Sequence, residues 1–119
     1  MLFRSYVSVV RLDDLIQTRL SGKKLFIKID VEGGEYDVLQ GMSSLLKNQK
    51  PLLLIEIWKG QFDPSGINPF FRKTFELLFS FGYKIMTIDE KVVIDYSVLD
   101  DPGSRLGYNF LGIPTWVNQ

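Results

Sequence analysis

The stretch "FIKIDVEGGEYDVLQG", residues 26–41, constrains the fold more than any other part of this chain. An apolar run over residues 25–30 stops in Val31-Glu32-Gly33-Gly34-Glu35, and a helical pattern starts at once. Alternation puts Leu25, Ile27 and Ile29 on one face of a strand and Phe26, Lys28 and Asp30 on the other. From Glu35 onward, Val38, Leu39, Met42, Leu45 and Leu46 recur at helix spacing, which predicts a helix over 35–47. Gly41 inside that helix costs about 1 kcal/mol relative to alanine, and close packing on a sheet is the expected reason for it. Strand, tight turn and helix is the repeating unit of α/β sheets, which bind ligands outside the carboxyl ends of their strands.

The flanking segments fit that class. Residues 6–10, "YVSVV", read as a short β-branched strand, and "RLDDLIQTRL" reads as an amphipathic helix with Leu12, Leu15, Ile16 and Leu20 on its apolar face. "LLLIEI" after Pro51 is apolar almost throughout, as in a strand covered on both faces. Residues 59–68 read as a loop with Gly60, Pro64 and Gly66. Asn68-Pro69 is a helix start, predicting a helix over 69–81 with Phe71, Phe75, Leu78 and Phe79 inward and Gly82 as its terminal cap. Residues 83–89 form another strand, with a short arm in "KVVIDY". A turn-rich loop over 100–107 leads to a last strand, 108–117. Gly112 and Pro114 suit an edge or a bulge there.

Composition removes several kinds of chemistry. There is no Cys and no His among the 119 residues. Disulfides, thiolate metal sites and histidine-based triads are therefore excluded, and a reducing, cytoplasmic setting is expected. Fourteen basic residues balance 14 acidic ones, which gives no electrostatic footprint for nucleic acid. No apolar run approaches the roughly 18 residues of a membrane span. Carboxylates are then the available proton acceptors.

The acids around the glycine turn are the candidate site. Asp30 stands at a strand end, and Glu32 and Glu35 flank the turn. They surround the helix N-terminus with negative charge, which disfavours phosphate, and the pattern is neither a P-loop nor G-x-G-x-x-G. A structural reading of the same acids is open. Glu35 is favourable at the helix dipole by about 0.3–1 kcal/mol, Glu32 suits a solvated loop, and Asp30 can bond the turn amides. Lys28 needs a partner if it lies mid-strand in a covered sheet. Glu56, equally out of place in "LLLIEIW", is the expected one.

"FIKIDVEGGEYDVLQG" followed by "KPLLLIEIW" closely resembles the core signature of the FkbM-type methyltransferase family. That signature is a strand ending in I-K-I-D-x-E-G, an acid, a helix with V-L-x-G, and a Pro-led strand ending in L-x-E. "VVRLDDLI" is similar to the family's upstream segment, so the resemblance spans about residues 7–83. It implies an α/β, Rossmann-like class I methyltransferase fold, S-adenosylmethionine as cofactor, and methylation of a hydroxyl on a sugar, polyketide or other small molecule. It points to Asp30 and Glu32 as catalytic, to Lys28, Glu35 and Glu56 as substrate-binding, and to Asp30, Val31 and Gly33 as cofactor-binding, with no metal.

One departure is as informative as the matches. The glycine-rich turn after a first strand and the ribose-binding acid after a second are both missing from this sequence. By that analogy residues 1–119 form a single partial domain without the amino-terminal cofactor-binding half. It would comprise the fourth strand onward of a mostly parallel sheet with an antiparallel last strand. Such a chain would not bind the cofactor alone, and its open sheet edge would favour self-association. Three alternatives remain: a non-enzymatic truncated or decayed module, a divalent-metal site built from Asp30, Glu32 and Glu35, and an oligomer that rebuilds the crevice from another chain.

Overall fold

The computed structural model describes residues 4–16, 19–20, 22–59, 68–89, 92–93 and 108–118. Residues 60–67 of the loop expected over 59–68 and all of the loop expected over 100–107 lie outside them, as do residues 17, 18 and 21 of the first expected helix and its stop.

The strong apolar runs become the sheet. Strand β1 (Phe26–Ile29) lies parallel to β2 (Leu52–Ile57), with Ile27 beside Leu53 and Ile29 beside Ile55. Strand β5 (Tyr108–Ile113) runs antiparallel to β2 on its other side and antiparallel to β3 (Lys84–Thr87). The short β4 (Val92–Val93) completes the order β1-β2-β5-β3-β4. The last strand is thus interior rather than at an edge. Pro114 falls after it, where no ladder hydrogen bond is lost. Gly112 is needed for close approach instead: a Cβ there would meet Leu53 Cβ at 3.1 Å and the Tyr83 ring at 3.3 Å.

The core lies on one sheet face. Leu53, Ile55 and Ile57 of β2 are wholly buried, with Phe110 beside them, whereas Leu52, Leu54 and Glu56 are only partly covered. Full coverage of both faces was expected for β2 and is not found. Helices α2 (Glu35–Gly41), α3 (Ser43–Asn48) and α4 (Phe71–Ser80) supply Leu39, Met42, Leu45, Leu46, Phe71, Phe75 and Leu78 to the covered face. Phe75 meets Phe110 edge-on at 5.1 Å. The principal extents of 46 × 43 × 20 Å match one sheet plus one helix layer in thickness.

Two expectations near the amino end are corrected. Residues 6–10 adopt no regular structure, and Tyr6, Val7 and Val9 are more than 80% exposed. A strand exists only through its ladder partner, and among the described residues none pairs with this segment. The following helix, α1 (Leu12–Ile16), buries Asp13 while Leu15 stays exposed.

The reason for the buried acid is the break in the expected 35–47 helix at Met42. Residue Met42 caps α3 without any side-chain hydrogen bond. Asp13 does that work from 31 residues away: Ser44 and Leu45 donate their backbone N–H groups to its carboxylate at 2.8 and 3.0 Å. Gly41 packs against the backbone of Arg11, 3.8 Å from the site of its absent Cβ, rather than against the sheet. Among the described residues no helix is long and apolar enough to cross a membrane.

Candidate functional site

The parallel strands β1 and β2 end side by side, and their carboxyl ends gather acids. One step beyond the pair Ile29 and Ile55, the same register sets Asp30 beside Glu56. The expected Lys28–Glu56 pair therefore does not form. Lys28 lies next to Leu54 in the register, two residues short of Glu56. Its Nζ reaches Asp30 Oδ2 at 4.0 Å, and both side chains are substantially exposed. With its side chain 62% exposed, Lys28 meets water and needs no buried counter-ion.

Glu56 and Asp30 form a carboxyl–carboxylate pair. The Glu56 carboxyl is held above the usual range first by burial, then by its hydrogen bond with Asp30, then by the negative charges of Asp30, Glu32 and Glu35. A carboxylate beside Glu56 disfavours its charged form, so the Glu56 carboxyl holds its proton to higher pH than a free glutamate. On the far side of Glu56 the register sets Asn109 of β5.

The turn after Asp30 is held from within. Glu32 and Gly33 take left-handed backbone angles, φ 46° and 99°, a region glycine enters freely and glutamate seldom does. Gly33 then donates its N–H to Glu35 Oε1 at 2.7 Å. Glu35 is completely buried, and its Oε2 has no hydrogen-bond partner. The structure thus turns Glu35 onto the turn and leaves Asp30, Val31 and Glu32 facing solvent. Asp30, Glu32 and Glu35 do not combine into a metal site: among the described residues no group of three or more ligand side chains is placed to hold an ion.

Aromatic residues that the sequence pattern did not single out join the two helix starts beside these acids. The Tyr36 ring, one residue into α2, stacks on Phe70 at 5.4 Å and 15°. The Lys73 ammonium sits over Phe70, 5.5 Å from its centroid. Asn68 fixes the approach to α4 by donating to the Trp58 carbonyl at 2.8 Å and accepting from the Phe70 N–H at 3.0 Å. Asn68 and Pro69 do not cap and open the helix as expected: α4 starts at Phe71 with Phe70 as its cap, and Asn68 braces the turn before it; nothing local signals a ring stack between residues 34 apart. A cavity of about 570 Å³ opens among Arg11, Asp37, Gln40, Gly41, Ser43 and Leu77, and none of the candidate acids lines it.

For S-adenosylmethionine, Asp30, Val31 and Gly33 fit only one side of a site. An acidic ledge suits a sulfonium cation, but Asp30 and Val31 are about half exposed and enclose nothing. Partners for the ribose and the base are not supplied by these three residues.

Neither a curated protein nor a solved structure gives a significant match to the chain. The family model described as the methyltransferase FkbM domain does match, over residues 3–85. That span covers well over half of the sequence and includes β1, the glycine turn, α2, α3, β2 and α4; the chain belongs to the FkbM methyltransferase domain family.

Proposed function

We propose that this chain forms the acceptor side of an S-adenosylmethionine-dependent O-methyltransferase acting on a hydroxyl of a sugar, polyketide or other small molecule. The observation that carries this reading is the Asp30–Glu56 pair at adjoining carboxyl ends of parallel strands, inside the segment matched by the family. The cofactor supplies the methyl group when bound. The chain's own task is to orient a hydroxyl and take its proton, which needs an acceptor of raised basicity within hydrogen-bond reach.

Asp30, the more exposed partner, contacts the acceptor hydroxyl. Glu56 behind it shares the proton, and Glu32 lies close enough to bind a second hydroxyl. Glu35 serves indirectly by fixing the Gly33 amide and hence the direction in which Asp30 and Val31 face. The antiparallel β5 between β2 and β3 supports reading the sheet as the fourth strand onward of a Rossmann-like methyltransferase. Its cofactor-binding half would then come from outside these 119 residues. The open ledge at Asp30 and Val31 favours one second reading, a non-enzymatic module that folds without taking the cofactor.

The test has two parts. Calorimetric titration of the chain with S-adenosylmethionine should give no binding or binding weaker than micromolar; micromolar binding would overturn the partial-domain reading alone. Methyl transfer should then appear when the chain is mixed with the separately produced amino-terminal half of another FkbM methyltransferase domain and a panel of hydroxylated acceptors. Asp30→Asn should abolish that transfer without unfolding the chain. An Asp30→Asn chain as active as the parent would refute the role given to the pair.

A further inference from the structure

Strand β1 ends the sheet, and its outer edge is self-complementary. Among the described residues it pairs with β2 alone, on one side. The Leu25 carbonyl accepts from the Leu52 N–H at 2.8 Å. Backbone groups alternate sides along a strand, so Leu25, Ile27 and Ile29 aim theirs at β2, while Phe26, Lys28 and Asp30 aim theirs away from the sheet. The side chains along this rim are open: Phe26 is 60% exposed, and the Lys28 and Asp30 side chains are 62% and 49% exposed. An unpaired ladder accepts an extended strand, and a lone edge lysine ordinarily deters one. Here an acid stands two residues further on, pointing to the same face.

We propose that a second copy of this chain pairs antiparallel along β1, about a two-fold axis at Ile29, with Lys28 of each copy opposite Asp30 of the other. The two sheets then join into one of ten strands. Only residues with outward backbone groups exchange ladder hydrogen bonds, which restricts the register to even-numbered partners. An axis at Lys28 would set the two lysines against each other. An axis at Ile27 would leave Lys28 facing Phe26 and would need Lys24, whose ammonium already lies 5.2 Å from the centre of the Trp116 ring. The axis at Ile29 matches opposite charges twice and keeps Ile27 against Val31. The contact between Lys28 and Asp30 within one copy, at 4.0 Å, is long enough to exchange for the one across the axis. Each copy also brings a cation to the other's Asp30, beside Glu56. Under the proposed function an amino-terminal half would take this same edge, so the pairing is a property of the chain by itself; cofactor titration and methyl transfer test that function separately from the association.

Sedimentation analysis of the full 119-residue chain over a concentration series tests the pairing. A discrete dimer is expected, weakening as salt screens the charge pairs. Lys28→Glu or Asp30→Lys alone should raise the dimer dissociation constant by about tenfold or more, because like charges then face each other. The exchanged pair, Lys28→Asp with Asp30→Lys, should restore it. Circular dichroism should report an unchanged fold in all three. A monomer at every concentration, a dimer indifferent to the single reversals, or association that the exchange does not restore would each overturn the proposal.

Discussion

Replacing Asp13 with alanine should weaken this fold more than any other change to an acid. Its side chain is 6% exposed and accepts two backbone hydrogen bonds at the start of α3, from Ser44 at 2.8 Å and Leu45 at 3.0 Å. Losing a helix N-cap costs about 0.5–2 kcal/mol. A buried donor left without a partner costs about 1–3 kcal/mol, and the Leu45 bond is buried. Some of that is recoverable. A cavity of about 290 Å³ adjoins Asp13, Ser44, Leu45, Asn48 and Gln49, and water entering it can reach the Ser44 amide. The sum is a loss of about 2–4 kcal/mol, or roughly 8–16 °C in Tm for a domain of this size. Asp13→Asn, which keeps one accepting oxygen, should fall between. Asp14→Ala, one residue on and exposed, should stay within about 0.5 kcal/mol. Urea unfolding followed by circular dichroism measures all three, and amide exchange should speed up first at Ser44 and Leu45. An Asp13→Ala protein as stable as the Asp14→Ala control would refute the remote cap.

Two further outcomes are expected. Glu56 has its folded-state pKa raised, so it binds more protons when folded. Stability should therefore be fully present below the ordinary glutamate value and fall as pH climbs through the raised one; Glu56→Gln should flatten that slope and gain about 0.2–1 kcal/mol at neutral pH from lost cross-strand repulsion, measured as Tm against pH. Gly112→Ala should cost about 1–3 kcal/mol by overpacking, because its new methyl would press on Leu53 Cβ at 3.1 Å and the Tyr83 ring at 3.3 Å, both buried; a denaturant midpoint equal to the parent's would show that this crossing has slack.

Much of the fold was legible in the sequence because its signals are local. The period change at Gly33-Gly34 marks a strand giving way to a helix within a few residues. Asn68 ahead of α4 and Gly82 after it, at φ 81°, act through hydrogen bonds and backbone angles that span a turn or less. The acids at the carboxyl end of β1 were legible for the same reason, as was the family signature, which is a run of fixed spacings. Register is different. Lys28 and Glu56 each looked anomalous in its own strand, but only the offset between β1 and β2 decides who meets whom. That offset puts Glu56 beside Asp30 and leaves Lys28 in water. Burial of Asp13, the stack of Tyr36 on Phe70 and the interior place of β5 likewise join residues dozens of positions apart. Such contacts depend on how the helices and strands settle against one another, and no short window of sequence carries that information.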